Sequence, residues 1–174
     1  MKYLILILTL FVTLSCCKKD DANDPLPPAT QTGAGTFACK VNGQNFIDTS
    51  GGYFNCFYQF NDGEYYFGIQ GKDEEKSMRT VVLSTTAKSI SEGETLLLLE
   101  NIDGNAWGGG RFNTETIGGD ASYTNSQYTG ELTITKLDFI NNIVSGTFWF
   151  DIEHPVTGET VETREGRFDT LFTQ

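Results

Sequence analysis

Short apolar runs that alternate with polar residues, and that Gly, Asn and Asp separate, make up most of the chain after residue 35. Alternation with a period of two is typical of strands with one buried face, and no stretch has a helical period of convincing length. The clearest run is YFNCFYQFNDGEYYFGIQ, residues 53–70, in which Asp62 and Gly63 suit a two-residue hairpin turn. The pattern therefore predicts an all-β domain.

The register of this first hairpin predicts which of its residues reach the core. When Asn61 pairs with Glu64, directly opposite residues share one face of the sheet. The face expected to point to the core collects Phe54, Cys56, Tyr58, Phe60, Tyr65, Phe67 and Ile69. The other face collects Tyr53, Asn55, Phe57, Gln59, Tyr66, Gly68 and Gln70.

A second hairpin is expected in FACKVNGQNF, residues 37–46, around an Asn-Gly turn. Its register places three residues on one apolar face: Phe37, Cys39 and Val41. Cys39 and Cys56 then both point inward, and two cysteines in an exported domain favour a disulfide between them. Two buried free thiols that pack as small hydrophobic side chains are the alternative.

The C-terminal third repeats the alternation in GELTITKLDFINNIVSGTFWFDI, residues 130–152. The residues expected to face inward are Leu132, Ile134, Val144, Gly146, Phe148, Phe150 and Ile152. Trp149 then faces outward. A further hairpin turns near Thr157 and Gly158.

Between these hairpins, residues 79–85 and 94–99 have the pattern of strands, whereas residues 104–112 and 116–130 are too rich in Gly, Ser and Asn to assign. About eight to ten short strands in one domain predict a single antiparallel β-sandwich or β-barrel. The sequence does not choose between these two architectures.

Residues 1–15 have the layout of a signal peptide, with Lys2 in front of an apolar run and Ser15 behind it. A helix of this run would be about 18 Å long, well short of the roughly 30 Å hydrocarbon core of a bilayer. Cys16 follows Thr-Leu-Ser as in a lipobox, so Cys16 is the expected lipid attachment site. Burial of two or three acyl chains there would anchor the protein stably.

The segment behind the expected anchor is polar and rich in Pro and Gly, so residues 16–35 are predicted to be the lipidated N-terminus and a flexible linker. Residues 36–174 then form one β domain of ordinary size. Lys-Lys-Asp-Asp after Cys17 resembles the export tag of Bacteroidota lipoproteins that are sent to the outer face of the outer membrane. This likeness implies a lipid-anchored protein that is exposed at the cell surface.

The charge of the chain argues against one class of partner. The chain has 12 basic and 23 acidic residues, and loss of Lys2 with the signal peptide changes the formal net charge from −11 to −12. Such a surface repels phosphate backbones and anionic headgroups, so no nucleic-acid partner is expected. The expected partners are the membrane, through the acyl chains, and a glycan or a protein at the cell surface.

Residues suited to catalysis are scarce. His154 is the only histidine, and neither a C-x-x-C nor a G-x-S-x-G motif occurs. We therefore expect no enzyme, no catalytic residue, no metal and no cofactor, and we expect His154 to be a loop residue. A glycoside hydrolase with paired carboxylates stays open as an alternative, because acids from distant positions can meet in a fold.

Aromatic residues make up 13% of the chain, and several are expected on outward faces of strands or in loops. Such rings can stack on a sugar ring or contact a peptide. The candidate ligand platform consists of Tyr53, Phe57, Tyr66, Trp107 and Trp149. Packing of these rings against a second sheet or a neighbouring loop is the alternative.

The segment LPPATQTGAGTFACKVNG, residues 26–43, resembles the start of a family of Bacteroidota lipoproteins known only as a domain of unknown function. In that family a linker of this composition leads into a Thr-Phe-x-Cys-x-Val-Asn-Gly strand and turn. LTITKLD, IVSGTFWF and GRFD near the C-terminus are similar to its closing strands. The resemblance implies a β-rich lipoprotein domain without an established activity, and it supplies no catalytic residues.

The sequence thus predicts an outer-membrane or surface lipoprotein that presents one β domain as a non-catalytic binding or interaction module. A lipocalin-like carrier of a small apolar ligand is one alternative, and it requires a barrel with an interior cavity. The hydrolase is the other, and it requires two acids about 5 to 10 Å apart in a cleft.

Overall fold

A computed structural model describes residues 25–51 and 55–174. Its strands in these ranges are β1 (Thr36–Val41), β2 (Gln44–Ile47), β3 (Asn55–Asn61), β4 (Glu64–Lys72), β5 (Met78–Thr85), β6 (Thr95–Leu98), β7 (Ala106–Phe112), β8 (Asp120–Tyr123), β9 (Gly130–Asp138), β10 (Ile143–Glu153) and β11 (Thr160–Leu171). The predicted signal peptide, Cys16, Tyr53 and the predicted core residue Phe54 lie outside the described residues. Within those residues no helix has both the length and the hydrophobicity to cross a membrane.

All eleven strands belong to one sheet with the order β2-β1-β11-β10-β9-β6-β7-β5-β4-β3, and β8 pairs with β7 outside this path. The neighbours β6 and β7 are parallel, and the other pairs are antiparallel. The sheet folds on itself like a sandwich and is not closed into a barrel. The predicted all-β class is confirmed, and of the two predicted architectures the structure resembles the sandwich.

β3 and β4 form the first predicted hairpin, with Asn61 opposite Glu64 and all pairs behind them in the expected register. The predicted core face is confirmed for Cys56, Tyr58, Phe67 and Ile69, which are all buried. Phe60 and Tyr65 share that face, but they are 63% and 40% exposed, so their prediction as core residues was wrong. They flank the turn, where the hairpin extends past the core, and their rings pack on each other with centroids 4.8 Å apart.

β1 and β2 form the second predicted hairpin, with Cys39 opposite Phe46. Cys39 and Cys56 are both buried, as predicted, but in the described part of the chain they are free thiols. The expected disulfide between Cys39 and Cys56 is therefore wrong, and the alternative of two buried free thiols holds. Cys39 lies in β1 and Cys56 in β3, two strands that are not neighbours in the sheet, and each thiol packs in the core as a small apolar group.

Phenylalanine rings fill the space between the two halves of the sheet. The fully buried ones are Phe37, Phe46, Phe67, Phe112, Phe150 and Phe168. Some rings lie directly on the backbone of another strand, where only glycine leaves room. A Cβ at Gly166 would lie 2.4 Å from Phe148 Cδ2, and a Cβ at Gly71 would lie 2.3 Å from Phe37 Cδ1. These glycines therefore contribute to the close packing of the core.

The two Gly-rich segments that the sequence left unassigned also contribute strands. β7 contains three consecutive glycines and pairs with β5 on one side and β8 on the other. The ring of Tyr123 lies over Gly109, and the side chain of Met78 lies against Gly110. Larger neighbours occupy the space that the glycines leave, so tertiary packing outweighs their low strand propensity.

Residues 25–35, which we call the N-terminal strap, lie against the domain before β1 begins. Thr30 and the backbone amides of residues 32–34 donate hydrogen bonds to the carboxylate of Asp169 in β11. Leu26 is buried as well. The part of the predicted flexible linker that the structure describes is thus attached to the outer surface of the sheet.

Candidate ligand groove

The candidate site lies on the outer face of β9, β10 and β11, away from the core. Trp149 was expected to face outward, and its position confirms this: Phe148 and Phe150 on either side are buried, whereas Trp149 is partly exposed. Trp149 pairs directly with Glu131 of β9, so the indole and this carboxylate share the outer face.

A β-bulge in β11 sets two side chains opposite Trp149. The register between β10 and β11 shifts at this point, so that Arg164 and Glu165 together face the single Trp149. Glu165 has a φ of 51°, in the left-handed region that non-glycine residues seldom adopt. Bulges change the direction of side chains, and this one lets both residues reach the outer face near the indole.

Two contacts hold the indole of Trp149 in one orientation. Its Nε1–H donates to Glu131 Oε2 at 3.2 Å, and the central guanidinium carbon of Arg164 lies 5.4 Å from the ring centroid. Arg164 is held in turn, because its Nη1 donates to Asp151 Oδ1 at 2.6 Å and to the carbonyl oxygen of Phe150 at 3.1 Å. An aromatic ring fixed in this way loses little conformational entropy when a ligand binds.

Trp149 borders an open groove of about 430 Å³, which is within the range of small-molecule sites, about 300 to 1,000 Å³. The polar side chains that line the groove are those of Glu131, Thr133, Thr147, Glu165 and Arg167. Thr147 pairs with Thr133, and the hydroxyl of Thr133 lies 2.9 Å from that of Thr95. A row of hydroxyl groups therefore crosses the sheet beside the indole.

The charged side chains at the groove are already paired with one another. Lys40 Nζ donates to Glu165 Oε1 at 2.7 Å, and Arg167 Nη2 lies 3.8 Å from Glu165 Oε2. The hydrogen bond from Lys40 lowers the pKa of Glu165, with the charges of Lys40 and Arg167 acting in the same direction against partial desolvation. Glu165 is therefore an ionised hydrogen-bond acceptor at neutral pH.

The strap forms another part of the groove wall. Ala29 lines the groove, and Arg167 Nη1 donates to the carbonyl oxygen of Pro27 at 3.4 Å. Arg167 also donates from Nε and Nη2 to the carbonyl oxygen of Glu165, at 3.1 and 2.9 Å. Backbone carbonyls on two sides of the groove thus determine where this guanidinium lies.

The other described members of the candidate platform lie in the other half of the sheet. Phe57, Gly68, Ser84 and Trp107 form one row across β3, β4, β5 and β7. Phe57 and Trp107 are therefore three strand spacings, about 14 Å, apart. The ring of Phe57 lies over Gly68, while Tyr66 is in the same strand as Gly68, two residues before it.

Trp107 is held by contacts of its own and does not join Trp149. Its ring packs edge-on against Tyr123 with centroids 5.4 Å apart, and its Nε1–H donates to the hydroxyl of Thr86 at 3.0 Å. Strands β6 and β9 lie between the strands of Trp107 and Trp149. The described platform residues thus belong to two separate areas, and the area at Trp149 has charged side chains and hydroxyls around an aromatic ring in one groove.

His154 lies at the turn between β10 and β11. Its Nδ1 accepts hydrogen bonds from the amides of Val156 at 3.3 Å and Thr157 at 3.2 Å, and its ring contacts the ring of Phe112 at 4.7 Å. These contacts give it a role in the turn. Among residues 25–51 and 55–174, no group of three or more His, Cys, Asp or Glu side chains is arranged to hold a metal ion.

No family model matches the chain, and neither the curated proteins nor the solved structures yield a match. The likeness to Bacteroidota lipoproteins of unknown function therefore stays a prediction. The geometry of the groove is what supports a function.

Several groove residues were not singled out from the sequence. Glu131 and Thr133 had a usable signal, because they occupy the outward positions of the predicted strand that holds Leu132 and Ile134. Arg164 had none, because its position over Trp149 depends on the bulge at Glu165. Ala29 lies in the segment predicted to be a flexible linker, and the composition of that segment gives no sign that it contacts the sheet.

Proposed function

We propose that this protein is a surface lipoprotein whose β domain binds a neutral carbohydrate, without catalysis, in the groove beside Trp149. One observation carries the proposal: the indole of Trp149 is held by Glu131 and Arg164 next to a row of threonine hydroxyls. Aromatic rings present a flat apolar surface, and carboxylates and hydroxyls bond to ligand hydroxyls. A sugar has an apolar ring face and a polar periphery, so it can use both kinds of group.

The charges favour a neutral ligand over an ionic one. Arg167 lines the groove together with Glu131 and Glu165, and Lys40 pairs with Glu165, so the charges at the groove largely cancel. The formal net charge of −11 of the whole chain then disfavours an anionic ligand. A cationic ligand would compete with Lys40 and Arg167 for Glu165. A hydroxyl group can donate to either carboxylate without displacing these partners, because each carboxylate accepts several hydrogen bonds.

The two alternative functions have less support. A carrier of apolar ligands requires an interior cavity, but the sheet is not closed and phenylalanine rings pack the space between its halves. A glycoside hydrolase requires one carboxylic acid with a raised pKa. At the groove the hydrogen bond from Lys40 lowers the pKa of Glu165, which is the opposite of what a general acid needs.

Lipid attachment at Cys16 is part of the proposal and has its own test. Leu26 is already buried in the domain, so only residues 16–25 lie between the expected anchor and the folded domain. Ten residues reach about 35 Å when fully extended. The groove beside the strap would then lie close to the membrane surface. Cys16→Ala should move the protein from the membrane fraction to the soluble fraction, and membrane association that persists would contradict the anchor.

Carbohydrate binding can be tested by titration calorimetry on the full chain in detergent. The probes are cellohexaose, maltohexaose, mannohexaose and xylohexaose. We expect at least one to bind, and Trp149→Ala to weaken that binding about tenfold or more, because the stacking surface is lost.

Trp107→Ala is the matched control, since it removes an indole from the other half of the sheet. Its affinity for the oligosaccharide should equal that of the unmodified chain. The proposal is wrong if none of the four oligosaccharides binds, or if both tryptophan variants lose affinity equally.

A further inference from the structure

We infer that Asp169 is the positioning residue of this groove. Its carboxylate holds the strap on the outer face of the sheet, so that Ala29 completes the groove wall and the carbonyl of Pro27 restrains Arg167. The inference rests on the proposed carbohydrate site. It adds to that site a residue whose own side chain is completely buried.

Six hydrogen bonds from neutral donors converge on Asp169. Oδ2 accepts from the hydroxyl of Thr30 at 2.6 Å, from the amide and hydroxyl of Thr32 at 2.9 and 3.3 Å, and from the amide of Ala34 at 3.2 Å. Oδ1 accepts from the amide of Gly33 at 2.8 Å and from the hydroxyl of Ser145 at 2.8 Å. Five of these donors belong to the strap, so one carboxylate binds five of its polar groups.

The strap covers a part of the sheet that would otherwise face water. Asp169 and Ser145 are a directly paired couple, and Phe168 next to Asp169 points into the core. The pair therefore lies on the outer face, yet both residues are 0% exposed. A polar pair with this burial on an outer face shows that the strap is packed tightly there.

The hydrogen bonds between Asp169 and the strap, which we call the clamp, adjoin the groove along the strap and along β11. Along the strap, Thr30 directly follows Ala29, which lines the groove. Along β11, Asp169 is two residues from Arg167 on the same face, about 7 Å away. When the strap leaves Asp169, the groove therefore loses Ala29 from its wall, and Arg167 loses the carbonyl of Pro27 as an acceptor.

The first test uses Trp149 as a reporter that needs no ligand. In a Trp107→Phe background the chain retains Trp149 as its one tryptophan, since it has two in total. Asp169→Asn keeps the shape of the side chain but removes its charge. We expect amide exchange at residues 32–34 to become about tenfold faster or more. We also expect acrylamide to quench Trp149 more strongly.

Two further variants keep the test decisive. Thr30→Val with Thr32→Val removes two hydroxyl donors from the exposed side of the clamp, in case Asp169→Asn does not fold. Asp120→Asn is the matched control, because Asp120, which lies in β8, also accepts a hydrogen bond from a threonine hydroxyl, that of Thr114. The control should change neither amide exchange in the strap nor the quenching of Trp149.

The second test is the affinity for the oligosaccharide that binds the unmodified chain, which Asp169→Asn should lower about threefold or more through the lost wall. Strap amides that stay protected in Asp169→Asn would show that Asp169 does not hold the strap. Faster exchange with unchanged quenching would show that the strap does not shape the groove. Absence of oligosaccharide binding by the unmodified chain would instead contradict the proposed function, while exchange and quenching still decide the role of Asp169.

Discussion

The guanidinium of Arg164 lies 5.4 Å from the centroid of the Trp149 ring, and the two side chains meet because β11 has a bulge opposite Trp149. The same guanidinium bonds to Asp151. The orientation of the indole therefore depends on a small network of charged groups as well as on strand geometry. This dependence has a measurable consequence for binding.

Arg164→Ala should weaken oligosaccharide binding about two- to fivefold, which corresponds to a lost cation–π contact of about 0.5 to 1 kcal/mol. The measurement is the same calorimetric titration, with the emission maximum of Trp149 as a second readout. Arg164→Lys keeps the positive charge but not the planar guanidinium, so it should give an intermediate affinity. Unchanged affinity in Arg164→Ala would show that the indole is oriented without Arg164.

Asp169 should make the stability of the fold dependent on acid pH. Desolvation raises the pKa of this carboxyl, but hydrogen bonds from Thr30, Thr32, Gly33 and Ser145 outweigh it and hold the pKa well below its usual range. The pKa of an aspartate in an unfolded chain is about 3.9, so the unfolded chain takes up the proton first as the pH falls. The stabilisation is therefore complete above about pH 5 and is lost as the pH falls towards the pKa of the folded state.

Asp169→Asn should consequently lower the free energy of unfolding by about 2 to 3 kcal/mol at pH 7 and by less at pH 3. Guanidinium unfolding curves of both proteins at several pH values between these limits would measure the difference. A difference that stays constant over this pH range would contradict the coupling between the clamp and the ionised carboxylate.

The thiols of Cys39 and Cys56 should be unreactive in the folded protein. Burial raises the pKa of both thiols well above its ordinary value, and the thiolate is the reactive form. Iodoacetamide at pH 8 should modify these two residues at least about a hundredfold more slowly in the folded than in the urea-unfolded chain. A peptide that links Cys39 to Cys56 in a non-reducing digest would contradict the free-thiol arrangement.

Two phenylalanines on the same face of the first hairpin should differ greatly in their contribution to stability. Phe67 is completely buried, and Phe67→Ala should lower the free energy of unfolding by about 3 to 5 kcal/mol. Phe60 is 63% exposed and contacts the ring of Tyr65, so Phe60→Ala should cost about 1 kcal/mol or less. Thermal and denaturant unfolding of the two variants would compare them, and equal losses would contradict the exposed position of Phe60.

The hairpins could be predicted because their determinants are local. Asp62 and Gly63 select a two-residue turn, and this turn fixes the register of the pairs behind it. The same reasoning correctly predicted that Cys39 lies opposite Phe46 and that Trp149 faces outward. It failed for Phe60 because alternation defines a face of a strand but not how far along that face the core extends.

The candidate site could be predicted only in part. The outward position of Trp149 followed from alternation. The structure separates Trp149 from Phe57, Tyr66 and Trp107, because strand order decides which outer faces adjoin. The strap was not foreseen either. Its composition is that of a linker, and a single buried acceptor, Asp169, far away in the sequence, holds it in place.

The sequence by itself determined the all-β class, the hairpin registers and the outward direction of Trp149, because periodicity and turn chemistry act over a few neighbouring residues. It also predicts the signal peptide and the lipid anchor at Cys16. Tertiary structure decided the order of the strands, the bulge that brings Arg164 to Trp149, and the strap bound by Asp169. These features depend on residues that are distant in the chain and meet only when the sheet has folded, and local patterns carry no information about such meetings.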